Sequence, residues 1–175
     1  MDAVLFDFDG VVVDSEPVHL LGFRRVLEPL GISLTDEEYY HRYLGYDDRD
    51  CFAAVGRDKG AEFTPERIEE LTAAKTRIVK EVFAESVEAL PGAAELIAEL
   101  ARAGVPLAIC SGALREEIRL AARTVAVLEH FTEIVSAEDV QRGKPDPEGY
   151  ALAAERLGRS LGRPIAQARC VVIED

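Results

Sequence analysis

Asp2-Ala3-Val4-Leu5-Phe6-Asp7-Phe8-Asp9-Gly10 opens the chain, and its reading decides the fold. The stretch Ala3 to Phe8 is short and near-continuous in apolar residues, as a strand buried on both faces is. It runs into two aspartates, Asp7 and Asp9, two residues apart. Side chains at that spacing on a strand point the same way. Two carboxylates held side by side repel unless a cation or a shared proton lies between them. A hard divalent metal and phosphate chemistry suit such a pair. In that setting Asp7 can serve as a carboxylate nucleophile and Asp9 as a proton donor to a leaving oxygen. A plain strand ending in an Asp-Gly turn carries the same letters, so the decision rests on the rest of the chain.

Three further apolar runs read as buried strands: Val105 to Cys110, Phe131 to Val135 and Cys170 to Ile173. Helical periodicity separates them, the pattern of a parallel sheet covered on both faces. Leu96, Ile97, Leu100 and Ala101 form one stripe, with Gly104 as its C-terminal stop. Asp146-Pro147 supplies an N-cap and a first-turn proline, and Tyr150, Ala154 and Leu157 continue that helix.

The stretch from about Ser15 to Glu85 holds no strand pattern. Leu20, Phe23, Leu27 and Leu30 space as one helix ended by Gly31. Thr64-Pro65-Glu66 opens another, with Ile68, Leu71, Ile78 and Val82 on one face. Seventy residues exceed what a crossover between parallel strands needs, about a dozen. A helical domain inserted after the first strand accounts for the length. The expected division is a core of 1–14 and 87–175, and a helical cap of 15–86.

In open parallel sheets, ligands bind outside the carboxyl ends of the strands. Here those ends carry Asp7 and Asp9, then Ser111-Gly112, then Gly143-Lys144-Pro145-Asp146-Pro147, then Glu174-Asp175. Phosphoryl transfer onto a carboxylate needs such a set: a nucleophile, a proton donor, metal ligands, and cations or N–H donors for phosphate oxygens. Each piece alone has a plain structural meaning: a helix entry, a solvated lysine, a strand end meeting water. Their joint occurrence at successive strand ends is what points to chemistry.

Composition narrows the partners. Lys and Arg number 20 and Asp and Glu 33, a formal charge of −13. That balance opposes nonspecific binding to nucleic acid and to anionic membranes. No apolar run approaches the roughly 20 residues of a membrane span, and Asp2 stands where a signal peptide would carry a basic residue. The expected location is cytoplasmic. Cys51, Cys110 and Cys170 lack metal-type spacing, and the last two are expected as buried apolar fillers.

The motifs together resemble the haloacid dehalogenase superfamily of hydrolases, in its helical-cap branch, which holds β-phosphoglucomutases and phosphoglycolate phosphatases. Asp7-Phe8-Asp9-Gly10-Val11-Val12-Val13-Asp14-Ser15-Glu16 is similar to the first motif over its whole length, Ser111 to the second, Lys144-Pro145-Asp146-Pro147 to the third, and Glu174-Asp175 to the start of the fourth. The resemblance implies an α/β fold with a Rossmann-like parallel core, an inserted α-helical cap, and a core truncated at its C-terminus relative to relatives. It implies that Asp7 attacks phosphorus to form an aspartyl phosphate and that Asp9 protonates the leaving oxygen, then activates water. Mg²⁺ would be held by Asp7, the Asp9 backbone carbonyl and Asp175, with Glu174 near. Ser111 and the Gly112 N–H would bind phosphate oxygens, and Lys144 would offset their charge. The family's dehalogenases generally lack the second aspartate, so Asp9 favours phosphoryl transfer.

The expected substrate is a small phosphorylated metabolite, and the expected state a monomer or weak homodimer. His19, Gly45, Arg49 and Arg115 are the candidate substrate and cap residues. His19 matches a hinge histidine of the mutases that many phosphatases of the branch share. The cap segment Leu44-Gly45-Tyr46-Asp47-Asp48-Arg49 is similar to the branch's substrate loop, with Asp48 where the mutases carry arginine and Arg49 one residue late. Ala113 and Leu114 precede Arg115 where the mutases are polar. Both departures favour a phosphatase over a mutase. A truncated, non-catalytic remnant is the alternative of a different class.

Overall fold

The structure is a computed structural model that describes residues 1–175. Its chain divides into two compact units, Met1–Glu16 with Phe83–Asp175, and Pro17–Val82. The first is an α/β core and the second is wholly helical.

The core sheet has four parallel strands in the order β3-β2-β1-β4: β1 Ala3–Phe6, β2 Leu107–Cys110, β3 Glu133–Val135 and β4 Cys170–Ile173. All four carboxyl ends therefore lie along one edge. Registers are fixed by pairs such as Phe6 with Ile109, Phe6 with Ile173 and Cys110 with Val135. β1 and β2 are buried at every position, which their unbroken apolar sequence requires.

β1, β2 and β3 are shorter than their apolar runs, and β4 matches its run. Phe8 lies past the end of β1 because the chain turns there: the N–H groups of Val12 and Val13 both donate to the Phe8 carbonyl. β4 departs further from expectation. It is an edge strand, with Val171 45% and Val172 43% exposed and Cys170 half-buried. The expectation of four strands covered on both faces, with Cys170 buried, is corrected: no position of β4 is buried. Cys110 and Cys51 are buried.

Seven α-helices complete the chain: α1 Glu16–Leu27, α2 Asp36–Glu38, α3 Asp48–Asp58, α4 Pro65–Ser86, α5 Ala93–Arg102, α6 Arg115–Thr124 and α7 Glu148–Ser160. Gly104, at φ +73°, follows α5 in the left-handed conformation of a helix stop. Of the expected α5 stripe, Ile97 is fully buried whereas Leu96 is 41% exposed. α7 starts at Glu148, one residue later than its motif suggests. The Asp146 carboxylate still serves the helix entry by accepting the Glu148 N–H at 3.0 Å.

The helical unit is built around Phe23, Phe52, Leu27, Tyr39, Tyr43 and Leu71. Phe23 and Phe52 meet edge to face, ring centroids 4.9 Å apart. α1 supplies Leu20, Phe23 and Leu27 as expected, but Leu30 is exposed. The buried face of α4 is rotated from the expected one: Leu71, Lys75, Val79 and Phe83 are buried, a spacing of four, while Ile68, Ile78 and Val82 are half-buried. Gly22 makes this close approach of α1 to α4 possible, since a Cβ there would meet Lys75 Cγ at 2.9 Å.

Lys75 is 1% exposed. Its ammonium donates to the Asp48 carboxylate and to His19 Nδ1 at 2.9 Å, and stands 4.3 Å from the Phe23 ring centroid. A buried ammonium needs such partners. Replacing Asp48 by alanine is therefore expected to destabilise the helical unit by about 2–3 kcal/mol. That is less than the full cost of orphaning a buried charge, since the Asp48 side chain is 32% exposed. Urea unfolding followed by circular dichroism measures it, and a change under about 0.5 kcal/mol would show that Lys75 does not depend on Asp48.

Candidate active site

The site grows from the loop after β1. Asp7 follows the last strand residue, and its backbone N–H donates to the Ile173 carbonyl at 2.9 Å, so the sheet ladder fixes its position. The Asp7 Oδ1 accepts the Phe8 N–H at 2.7 Å. Gly10 then turns the chain at φ +74°. A Cβ on Gly10 would lie 2.8 Å from Asp175 Oδ2, so glycine is needed both for the turn and for the approach of Asp175. The loop is tied to the segment returning from the insert: Asp14 N–H donates to Glu88 O at 3.1 Å and Leu90 N–H to Val12 O at 3.0 Å.

Asp7, Glu174 and Asp175 bring carboxylate oxygens within 4.8 Å of one another. Lys144 closes the group. Its Nζ lies 2.7 Å from Asp7 Oδ1 and 2.9 Å from Glu174 Oε1. Burial, helped by the neighbouring Glu174, pushes the Asp7 carboxyl up to about 6 against the opposing pull of Lys144. The Lys144 ammonium is shifted upward: desolvation lowers it, and the carboxylates of Asp7 and Glu174 outweigh that. Three acids and one ammonium leave the cluster net negative. Oxygen donors so placed fit a hard divalent cation, and Asp7, Glu174 and Asp175 are the side chains that would hold it.

Asp9 is turned away from that cluster. Its Oδ2 accepts the Ser111 hydroxyl at 3.0 Å, and its side chain is not among the converging acids. Ser111 follows β2, anchored by its N–H to Val135 O at 3.0 Å, and its Oγ accepts the Ala113 N–H at 2.9 Å. Ser111, Gly112, Gly143, Lys144 and Tyr150 line a cavity of about 250 Å³ at these strand ends. A larger hollow of about 1100 Å³ runs along α7, past Leu152, Arg159 and Arg163, and includes none of the acids of the cluster. The smaller one is not lined by those acids either, but it takes in Lys144 and Ser111, which contact Asp7 and Asp9.

The remaining expected residues fall elsewhere. Arg115 does not stand free: its guanidinium pairs with Asp139 and its N–H donates to Glu138 Oε2 at 2.7 Å. Asp139 also accepts from Arg156 at 2.8 Å and from the Ser136 hydroxyl at 2.8 Å, and these donors hold its carboxyl well below the ordinary range despite burial. The Arg115 network thus braces the loops after β2 and β3. Arg49 is exposed and pairs with Glu69 at 3.3 Å. Gly45 sits at φ +85° in a turn. His19 meets Lys75, and burial together with that ammonium pushes its imidazole down to about 3, so it stays neutral.

Two residues escaped the sequence. Lys75 sits in a helix where a lysine reads as solvated. Tyr150 reads as a member of the α7 stripe, yet its hydroxyl donates to Glu174 and its ring lies 5.3 Å from Lys144 Nζ. Its place six residues after Lys144, on the first turn of a helix entering at the strand ends, was the available signal.

Comparison with known proteins agrees with this geometry. The phosphorylated carbohydrates phosphatase of Thermotoga maritima is 31% identical over 179 residues, covering 100% of this chain and 76% of its own. Hexitol phosphatase A of Escherichia coli is 34% identical over 182 residues, covering 98% and 73%. The crystal structure of CbbY from Rhodobacter sphaeroides in complex with phosphate superposes with a TM-score of 0.80 at 29% identity, covering 100% of this chain and 78% of that one. No helix is long and apolar enough to cross a membrane. The haloacid dehalogenase-like hydrolase family matches across residues 1–175, and with its parallel α/β core, its helical insert and its acids at the strand ends, the chain belongs to that family.

Proposed function

We propose that the protein is a Mg²⁺-dependent phosphatase that hydrolyses a small phosphomonoester, a sugar phosphate or similar metabolite, through an aspartyl-phosphate intermediate. The observation that carries this reading is the position of Lys144 Nζ, 2.7 Å from Asp7 and 2.9 Å from Glu174 beside a cavity lined by Ser111 and Gly112. An ammonium there draws a phosphate dianion toward Asp7 and lowers the repulsion between them.

Asp7 attacks phosphorus and displaces the alcohol oxygen, which leaves with a proton from Asp9. The Ser111 hydroxyl, now on Asp9, turns with the Gly112 N–H to phosphate oxygens. Asp9 then takes a proton from water, which attacks the acyl phosphate and releases inorganic phosphate. Asp9 suits both proton transfers because its side chain stands outside the acid cluster, next to the phosphate cavity. A divalent cation on Asp7, Glu174 and Asp175 supplies charge neutralisation for the transferring group. The phosphatase relatives named above act on phosphorylated carbohydrates and hexitol phosphates by their names, which supports the substrate class.

A β-phosphoglucomutase of Bacillus subtilis is also similar, at 27% identity over 179 residues. A mutase must return the phosphoryl group to a sugar and exclude water. The Arg115 guanidinium is paired with Asp139, which neutralises the cation that a second phosphate would need there, and hydrolysis is the better reading.

The test is a panel of sugar, polyol and carboxylic-acid phosphates with excess Mg²⁺, assayed for released phosphate. The expected result is release from at least one polyol or sugar phosphate, lost in excess EDTA and regained with Mg²⁺. Full activity in EDTA, or isomerisation without phosphate release, overturns the reading.

A further inference from the structure

Glu174 Oε1 receives two donors: the Lys144 ammonium at 2.9 Å and the Tyr150 hydroxyl. Lys144 in turn stands 5.3 Å from the Tyr150 ring centroid, within range of a cation–π contact. Tyr150 thus touches both members of the Lys144–Glu174 pair, one with its face and one with its hydroxyl. Its own position is set by close packing. Gly149, beside it, faces Cys110, where a Cβ would lie 2.7 Å from Sγ. The first turn of α7 can therefore rest directly on the end of β2.

Glu174 needs such a hold. It follows an edge strand, its side chain is 36% exposed, and a glutamate left to itself spreads over many rotamers. We propose that Tyr150 is a positioning residue of the acidic cluster: its hydroxyl fixes the Glu174 carboxylate with one oxygen on Lys144, leaving the other available to a divalent cation shared with Asp7 and Asp175. This rests on the reading of that cluster as a Mg²⁺ site. Tyr150 acts through Glu174 and carries out no chemical step. Outer groups that hydrogen-bond metal-ligating carboxylates commonly govern affinity by about 10–100-fold.

Tyr150→Phe keeps the ring under Lys144 and removes only the hydroxyl. The experiment is calorimetric titration of Mg²⁺ into the wild type, Tyr150→Phe, Glu174→Gln and the double variant, with thermal melts of each metal-free protein. Tyr150→Phe is expected to weaken Mg²⁺ binding about tenfold with the melting temperature unchanged. In the Glu174→Gln background the same substitution is expected to change binding less than about twofold, because two residues acting through one contact are not additive. Unchanged affinity in Tyr150→Phe overturns the role of Tyr150 while leaving the metal reading standing. An equal loss in both backgrounds shows that Tyr150 does not act through Glu174 and also overturns it. A wild type that binds no Mg²⁺ overturns the metal reading itself, and this inference with it.

Discussion

Asp7→Asn is expected to abolish turnover and to make the metal-free protein more stable. The first effect follows from chemistry: an amide is a poor nucleophile, and loss of a nucleophile costs on the order of 10⁴-fold or more. The second follows from where Asp7 sits. Its carboxyl, ordinarily near 3.8, is pushed to about 6 mainly by burial. Below pH about 4 both folded and unfolded states hold the proton, and burial of the neutral acid carries no ionic penalty. As pH rises from 4 to 6 the unfolded chain ionises first, so stability falls, and above 6 the loss is constant. Asparagine removes that titration. The metal-free variant should come close to the wild type near pH 4 and exceed it by about 2–3 kcal/mol at pH 7, the size of a shift of about two units in which the pull of Lys144 is already included. Urea unfolding in EDTA at the two pH values, beside a phosphate-release assay, measures both effects. A variant with wild-type turnover would refute the assigned nucleophile, and one less stable at pH 7 would refute the account of a strained carboxylate.

Such a gain is the mark of a residue kept for chemistry at a cost to the fold. It also bears on which parts of the molecule could be read in advance. The strands were legible because a parallel sheet imprints continuous apolar runs on its sequence, and Val4, Leu5, Leu107 and Ile109 are buried as that pattern demands. The acids and Lys144 were legible because the strand ends share one edge. The letters of Cys170–Ile173 are those of an interior strand, and only the sheet order shows that it lies at an edge. Lys75 was hidden for a related reason. Helical periodicity finds apolar faces, and a charged residue on the buried face of α4 is found only when Asp48 and His19 are seen to converge on it. Arg115 lies four places after Ser111 in the sequence, while its pairing to Asp139, 24 residues further on, is a tertiary fact.

Removing the ammonium of Lys144 should produce the other large loss. The Lys144 side chain is 31% exposed and lies between Asp7 and Glu174. Lys144→Met keeps most of the length and removes the charge, leaving Asp7, Glu174 and Asp175 without their cation. Two consequences follow. Loss of a charge aimed at the transferring group is expected to lower kcat by about 10²–10³-fold, as for other groups that stabilise transition-state charge. The Asp7 carboxyl also loses the group that holds it down, so its proton is released at higher pH than in the wild type. The acid limb of any residual kcat/KM profile should move toward alkaline pH, since attack needs the ionised carboxylate. Lys144→Arg is not expected to recover the rate. A planar guanidinium presents its donors in a fork, whereas the ammonium makes single contacts to two carboxylates and packs over the Tyr150 ring. Profiles of kcat/KM against pH for the three proteins decide the matter. A loss in rate with an unmoved acid limb would mean that Lys144 binds phosphate without tuning Asp7. A near-wild-type rate in Lys144→Met would remove Lys144 from the site altogether.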